Sequence, residues 1–115
     1  MTKRSSEENM KKLQYNKLVR DKIPEIIDAS GKTCRTEVLS DDEYLKMLDA
    51  KLDEELAEYH KDQNIEELAD LIEVIHAAAK ARGFTLEELE RVRAEKAAER
   101  GGFEKKILLK EVIEK

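Results

Sequence analysis

Two acidic pairs at helical spacing, on either side of a short polar break, constrain this sequence more than any other feature. They are Glu55 with Glu58, and Glu67 with Asp70. The polar residues 59–64 between them predict the end of one helix, a tight turn and the start of the next helix. Such a helical hairpin brings the two pairs face to face. Because four carboxylates in one space repel one another, the arrangement favours a divalent cation between them, and Mg²⁺ prefers oxygen ligands of this kind.

Spacing alone does not distinguish these pairs, because the chain contains six acidic pairs three residues apart. Their position relative to the apolar stripe of each helix distinguishes these two pairs from the others. At about 100° per residue, Glu55 falls inside the stripe of the first helix and Glu58 at its edge. In the second helix Glu67 lies on the apolar side and Asp70 at its margin. A carboxylate that faces a core is costly unless it is paired or binds a metal. The alternative is a pair of ordinary surface helices with acids at their boundaries.

The composition is typical of a helical protein with narrow apolar stripes. Hydrophobic residues make up 40% and charged residues 43% of 115 residues, with no Trp and a single Pro. This length fits one all-α domain over residues 1–115, of which we expect residues 1–13 to be flexible. Narrow stripes bury little surface when a monomer folds alone. We therefore expect oligomerisation to complete the core.

Charge and cysteine content restrict partners and compartment. A net charge of −5 argues against nonspecific binding to a nucleic-acid polymer, which needs a basic surface. No apolar run reaches membrane-spanning length, and the N-terminus lacks the hydrophobic core of a signal peptide. A single cysteine, Cys34, excludes an intramolecular disulfide. These features indicate a cytoplasmic protein without a membrane partner, in which we expect Cys34 to be at least half-buried.

Capping signals predict where the three longer helices begin. Ser40 with Glu43, Asn64 with Glu67, and Thr85 with Glu88 have capping-box spacing, which predicts helices from about residues 41, 65 and 86. Gly83 is expected to end the second of these helices, and the glycines at 101 and 102 the third. At the cap after Asn64, the Glu67 carboxylate has two alternative uses, the cap and the metal.

The remaining segments carry weaker signals. Pro24 fits the first turn of a short helix that Gly31 stops, and residues 32–39 are expected to be extended without a partner strand. The tail, residues 103–115, is compatible with a short strand, a terminal helix or a segment that docks in a dimer.

Three motifs in order resemble one enzyme superfamily. Lys51-Leu52-x-Glu54-Glu55-Leu56-x-Glu58 followed by Glu67-Leu68-Ala69-Asp70 resembles the all-α nucleoside triphosphate pyrophosphohydrolases, the MazG and phosphoribosyl-ATP pyrophosphohydrolase superfamily. The opening YNKLVRDKIPEII and the later Lys96-x-x-x-Arg100-Gly101-Gly102-Phe103 look like its small phosphoribosyl-ATP pyrophosphohydrolase-like subgroup. The resemblance runs from about residue 15 to residue 109.

The resemblance implies a fold, a cofactor and a reaction. The fold is a helical hairpin that assembles into four-helix bundles as a homodimer or a dimer of dimers. The cofactor is Mg²⁺, and the reaction is hydrolysis of a nucleotide between its α and β phosphates. Glu54 is implied to orient water or to hold a second ion, so Glu54 and Glu55 are the catalytic candidates. The implied metal ligands are Glu55, Glu58, Glu67 and Asp70. Here only residues 59–66 separate the two motifs, which leaves little chain to shape a base pocket.

Basic side chains are the expected partners of the phosphates. The first group comprises Lys17, Arg20 and Lys22, and the second comprises Lys96 and Arg100, which lie four residues apart on one helix face. The alternative for each of them is a solvated side chain or a weak surface ion pair.

Other functions compete with this interpretation. Glu73-x-x-His76 has the spacing of a di-iron ligand motif, but such a site needs two motifs, and the chain has only His60 and His76. A non-catalytic helical oligomerisation or interaction module is a second alternative. A phosphoribosyl-ATP pyrophosphohydrolase of histidine biosynthesis is a third.

Overall fold

The computed structural model describes residues 13–115, and the regular structure in that range is entirely helical. Four helices follow one another: α1 (Ile23–Ala29), α2 (Asp41–Asp62), α3 (Ile65–Ala81) and α4 (Leu86–Arg100). Helices α2 and α3 pack against each other as a helical hairpin, and α4 contacts α3. The predicted all-α class and the predicted hairpin are confirmed. The expected flexibility of residues 1–13 concerns a segment that lies, except for Leu13, outside the described residues.

Side-chain caps start the three longer helices at the predicted positions. The hydroxyl of Ser40, the amide oxygen of Asn64 and the hydroxyl of Thr85 each accept a hydrogen bond from the backbone N–H three residues later. Only Thr85 forms the reciprocal box, in which the Glu88 carboxylate also accepts from the Thr85 backbone N–H. These bonds satisfy donors that a helix N-terminus leaves unpaired, which is why local sequence predicts the starts well.

The end of α2 differs from the expected break at residues 59–64. The helix continues through Tyr59 to Asp62, and only Gln63 and Asn64 form the turn. Gln63 adopts a left-handed conformation, with φ of 49°, and its N–H donates to the Tyr59 carbonyl. A non-glycine residue rarely takes this conformation, so the sequence predicted a tight turn but not that two residues would suffice for it.

A glycine ends α3 as predicted. Gly83 has φ of 88°, and its N–H donates to the Lys80 carbonyl while the Phe84 N–H donates to the Ala79 carbonyl. This pair of bonds is a Schellman motif, which needs a residue in the left-handed region just after the helix. The motif turns the chain from α3 toward α4.

Burial within the described chain is sparse. Leu48 on α2 is the single hydrophobic residue of 13–115 that is buried, at 4% exposure. Four large apolar residues of the hairpin remain exposed, namely Leu56 on α2 and Leu68, Ile72 and Ile75 at helical spacing on α3. We call these four residues the open stripe. A stripe of this kind is typical of a helix face that packs against another element.

The segments outside the helices are exposed. Residues 32–39 form neither helix nor strand, in agreement with the expected unpaired extended segment, and the tail from Phe103 onward takes neither the strand nor the helix proposed for it. Cys34 is exposed, so the expectation of a buried or half-buried thiol is wrong; residues 32–38, in which it lies, are all exposed. Among the helices of residues 13–115, none combines the length and the apolar character needed to cross a bilayer.

Candidate metal centre

Three carboxylates converge where α2 faces α3. Glu55 on α2 and Glu67 and Asp70 on α3 each offer one oxygen, and these oxygens all lie within 4.8 Å of one another. Glu55 is 9% exposed, which makes it the buried charged residue of the described chain. This position agrees with the helical projection, which places Glu55 inside the apolar arc. The hairpin thus holds three of the four predicted ligands around one point.

The fourth predicted ligand, Glu58, belongs to an adjacent group. Its carboxylate lies with those of Asp62 and Glu67, again within 4.8 Å, so Glu67 is shared by both groups. Asp62 is not among the predicted ligands because the sequence predicts a break at residues 59–64. Since α2 continues to Asp62, that residue lies one turn beyond Glu58 on the same face. The four-residue spacing of the two acids was the available signal.

The cap of α3 fixes the backbone of the shared ligand. The Glu67 backbone N–H donates to the Asn64 side-chain oxygen at 2.9 Å. This bond engages the backbone of Glu67 and leaves its carboxylate directed at the other acids. The use of Glu67 in the cap and its position in the cluster are therefore compatible.

Electrostatics at Glu67 reflect the crowding of negative charge. Partial burial raises the pKa of Glu67 above its ordinary value, and repulsion from neighbouring carboxylates raises this pKa further. The neighbours responsible are Asp70, Asp62, Glu58 and Glu55. A bound cation would reverse this repulsion.

Of the predicted phosphate-binding residues, Arg20 contacts the acidic cluster and Lys17 contacts Glu54 beside it. Arg20 donates from Nη2 to Asp70 Oδ1 at 2.6 Å, and Lys17 donates from Nζ to Glu54 Oε1 at 3.3 Å. Both cations come from the segment before α1, so this segment contacts α2 through Glu54 and α3 through Asp70. These contacts place cationic side chains where a phosphate bound at the cluster would need partners.

A third cation, Lys51, lies beside the cluster and is not among the predicted site residues. Its Nζ lies 3.5 Å from both Glu54 Oε1 and Glu55 Oε1, and its side chain is only 21% exposed. The signal was present, because Lys51 precedes the two acids by three and four residues on one helix. Lys51 pairs with Glu55 within α2, and Glu54 pairs with both Lys51 and Lys17.

The other predicted phosphate-binding residues lie elsewhere. Lys22 is the exposed N-cap residue of α1 and makes no side-chain capping bond. Lys96 and Arg100 line a separate open groove with Gly101, Gly102 and Phe103 at the end of α4, and none of the clustered carboxylates lines that groove. Within one chain, therefore, the structure brings Arg20 to the cluster and Lys17 to Glu54 beside it, and phosphate binding by all five residues stays a prediction.

The donor set fits Mg²⁺. Octahedral Mg²⁺ has oxygen ligands at about 2.0–2.1 Å, so neighbouring ligands stand about 2.9 Å apart and opposite ligands about 4.2 Å apart. The three converging oxygens are separated by up to 4.8 Å, so their side chains would have to rotate inward to coordinate one ion. Neither His60 nor His76 joins a group of three metal-capable side chains in residues 13–115, so the structure assembles no di-iron ligand set there.

Comparisons with known proteins give a short partial match. A protein of Mycolicibacterium smegmatis, described as uncharacterised, is 68% identical over 41 residues. The match covers 36% of this chain and 42% of that protein, so the chain spans less than half of its relative. No family model matches the sequence, and no solved structure matches it.

Proposed function

We propose that this protein is a Mg²⁺-dependent nucleotide pyrophosphohydrolase that cleaves between the α and β phosphates. The products would be a nucleoside monophosphate and pyrophosphate. The observation that carries the proposal is the convergence of Glu55, Glu67 and Asp70 across the hairpin, with oxygens within 4.8 Å. Glu55 and Asp70, which are fifteen positions apart in sequence, meet there although their carboxylates repel each other, and a divalent cation would remove that repulsion. The motif resemblance supports the same reaction.

The carboxylates have distinct tasks in this proposal. Glu55, Glu67 and Asp70 hold the metal, and Glu58 extends the ligand set through the shared Glu67. When bound, Mg²⁺ neutralises phosphate oxygens and lowers the pKa of a bound water. Glu54, beside Glu55, orients the attacking water and accepts its proton. Lys51 keeps Glu54 and Glu55 at fixed positions between turnovers.

Basic residues bind the phosphates of the substrate. Lys17 and Arg20 already lie at the rim of the cluster, at hydrogen-bonding distance from Glu54 and Asp70. Their cationic groups match the non-bridging oxygens of a phosphate chain. Lys96 and Arg100 supply a second basic patch, and Lys22 adds charge next to Arg20.

A homodimer, or a dimer of dimers, completes the fold in this proposal. The open stripe leaves Leu56, Leu68 and Ile72 between 41% and 52% exposed, and Leu48 alone is a buried hydrophobic residue of the described chain. Packing the open stripes of two hairpins produces a four-helix bundle with a contiguous core. The proposed compartment is the cytoplasm, where nucleotides and Mg²⁺ are both present.

The direct test is pyrophosphate release from a panel of canonical and modified nucleoside triphosphates and phosphoribosyl-ATP. Each substrate is incubated with Mg²⁺ or with EDTA. The variants are Glu55→Gln, which removes one ligand charge with little change in shape, and Glu66→Gln, which removes an exposed charge next to the cluster. We expect Mg²⁺-dependent release that falls by at least about 10- to 100-fold in Glu55→Gln, and wild-type rates in Glu66→Gln.

The second candidate function is a non-catalytic helical oligomerisation module. The exposed open stripe favours it, because apolar helix faces serve assembly as readily as catalysis. This module would form the same oligomer with and without Mg²⁺, and it would release no pyrophosphate from any member of the panel. Release from phosphoribosyl-ATP alone would instead identify the narrower enzyme.

A further inference from the structure

The segment before α1 is attached to both helices of the hairpin. Lys17 pairs with Glu54 on α2, and Arg20 pairs with Asp70 on α3. The partners are 37 and 50 residues apart in sequence. One short stretch of chain thus sets a cation on each side of the carboxylate group. Arg20 donates to Asp70 at 2.6 Å, and Asp70 is one of the proposed metal ligands.

Arg20 and a metal ion oppose each other at Asp70. A guanidinium bonded to a carboxylate neutralises much of the charge that attracts a divalent cation, and two cations on one carboxylate repel each other. Arg20 therefore compensates part of the negative charge of the cluster. A phosphate group changes this balance, because it gives the guanidinium an alternative anionic partner that accepts two parallel hydrogen bonds.

We infer that Arg20 is an exchangeable counter-ion of the metal centre. It lies on Asp70 while the site is empty of phosphate, and it transfers to the phosphate when a phosphate-bearing ligand enters with the metal. The centre then binds the metal weakly alone and tightly in the presence of phosphate. This inference rests on the proposed function, because it assumes that metal and phosphate meet at Glu55, Glu67 and Asp70.

The exposure of the pair allows this exchange. The side chains of Arg20 and Asp70 are 58% and 41% exposed, so water can replace either partner as the bond opens. Ion pairs between exposed groups contribute little to stability, and breaking this one leaves no buried charge unpaired. The Lys17 contact with Glu54, at 3.3 Å, is a second attachment of the same segment to the hairpin.

The test measures binding of Mn²⁺, an ion that carboxylates also bind, by electron paramagnetic resonance without any turnover. Each protein is titrated with Mn²⁺ alone and with inorganic pyrophosphate, and occupancy is plotted against free Mn²⁺. The variants are Arg20→Gln, Arg20→Lys and Arg35→Gln. Arg35 is exposed and lies outside the cluster, so its substitution controls for the loss of one positive charge. Circular dichroism verifies the helical content of every variant.

We expect Arg20→Gln to bind Mn²⁺ alone about two- to fivefold more tightly than wild type, the factor that an exposed ion pair supplies. Pyrophosphate should tighten Mn²⁺ binding at least about fivefold in wild type and clearly less in Arg20→Gln, because metal and phosphate affinities are coupled reciprocally. Arg20→Lys keeps the charge and should match wild type for Mn²⁺ alone. Arg35→Gln should match wild type in both titrations.

Two results would overturn the inference in distinguishable ways. If wild type binds Mn²⁺ and Glu55→Gln does not, but Arg20→Gln binds Mn²⁺ alone no more tightly than wild type, the exchange is wrong while the proposed metal centre stands. If wild type binds no Mn²⁺, with or without pyrophosphate, the proposed function fails and the exchange fails with it.

Discussion

The open stripe provides a stability test of the proposed dimer, in which Leu48→Ala is compared with Leu68→Ala. Leu48 is 4% exposed and Leu68 is 41% exposed in the single chain. Removing a fully buried leucine side chain costs roughly 2–5 kcal/mol, because transfer and cavity terms add. A leucine side chain that is about three-fifths buried realises only about 1–2 kcal/mol of the roughly 1.5–3 kcal/mol of full burial, and it leaves no closed cavity.

The isolated chain and the dimer therefore predict different ratios of the stability lost in Leu68→Ala to that lost in Leu48→Ala. In an isolated chain, Leu68→Ala should cost about 1–2 kcal/mol and Leu48→Ala about 3 kcal/mol. In a dimer that covers the open stripe, Leu68 becomes a core residue, and both substitutions should cost about 3 kcal/mol. For about 100 residues, 1 kcal/mol shifts Tm by about 4–8 °C, so the two cases differ by several degrees.

The assay is urea unfolding of wild type and both variants at several protein concentrations, with sedimentation velocity on the same samples. We predict similar costs for Leu48→Ala and Leu68→Ala at high concentration, and a wild-type midpoint that rises with concentration as subunit association requires. A Leu68→Ala cost well below that of Leu48→Ala, with a midpoint independent of concentration, would refute the dimer.

Three further predictions concern the cluster and the helix caps. In EDTA, Glu67→Gln should raise Tm at pH 7. Because folding raises the pKa of Glu67, the stability that its protonated carboxyl contributes is present below the unfolded-state pKa and is lost as pH rises through the folded-state pKa. A plot of Tm against pH from 4 to 8 should therefore be flatter for this variant than for wild type. Asn64→Ala should cost about 1 kcal/mol in urea unfolding and also weaken Mn²⁺ binding, because the lost cap orients Glu67. Thr85→Ala should cost a similar amount of stability, about 1 kcal/mol, but leave the Mn²⁺ affinity unchanged, since the Thr85 capping box starts α4 outside the cluster. Equal Mn²⁺ affinities in Asn64→Ala and Thr85→Ala would contradict the orienting role of Asn64.

Local chemistry explains what the sequence predicted well. The residues after Ser40, Asn64 and Thr85 begin the helices because each cap needs only a side-chain oxygen and a backbone N–H three residues away. Gly83 ends α3 through its positive φ for the same local reason. The facing of Glu55 toward Glu67 and Asp70 followed from helical periodicity together with the hairpin.

Tertiary contacts explain what the sequence did not predict. The left-handed Gln63 allowed α2 to reach Asp62, and nothing local distinguishes this glutamine from one in a loop. Arg20 and Lys17 were predicted to bind phosphate, but pairing with Asp70 and Glu54 depends on how the segment before α1 crosses the hairpin. Sequence periodicity carries no information about such a crossing. It could have predicted the contacts of Lys51, because Lys51 precedes Glu54 and Glu55 by three and four residues on one helix.

The central claim is that Glu55, Glu67 and Asp70 bind one divalent cation, and the most direct measurement is anomalous diffraction from crystals grown with Mn²⁺. We predict an anomalous peak between α2 and α3, with one carboxylate oxygen of each residue in the coordination shell. The same crystals of Glu55→Gln should lack the peak or show it much weakened. Wild-type crystals in which Mn²⁺ binds at other carboxylates, while these three side chains point apart, would contradict the claim.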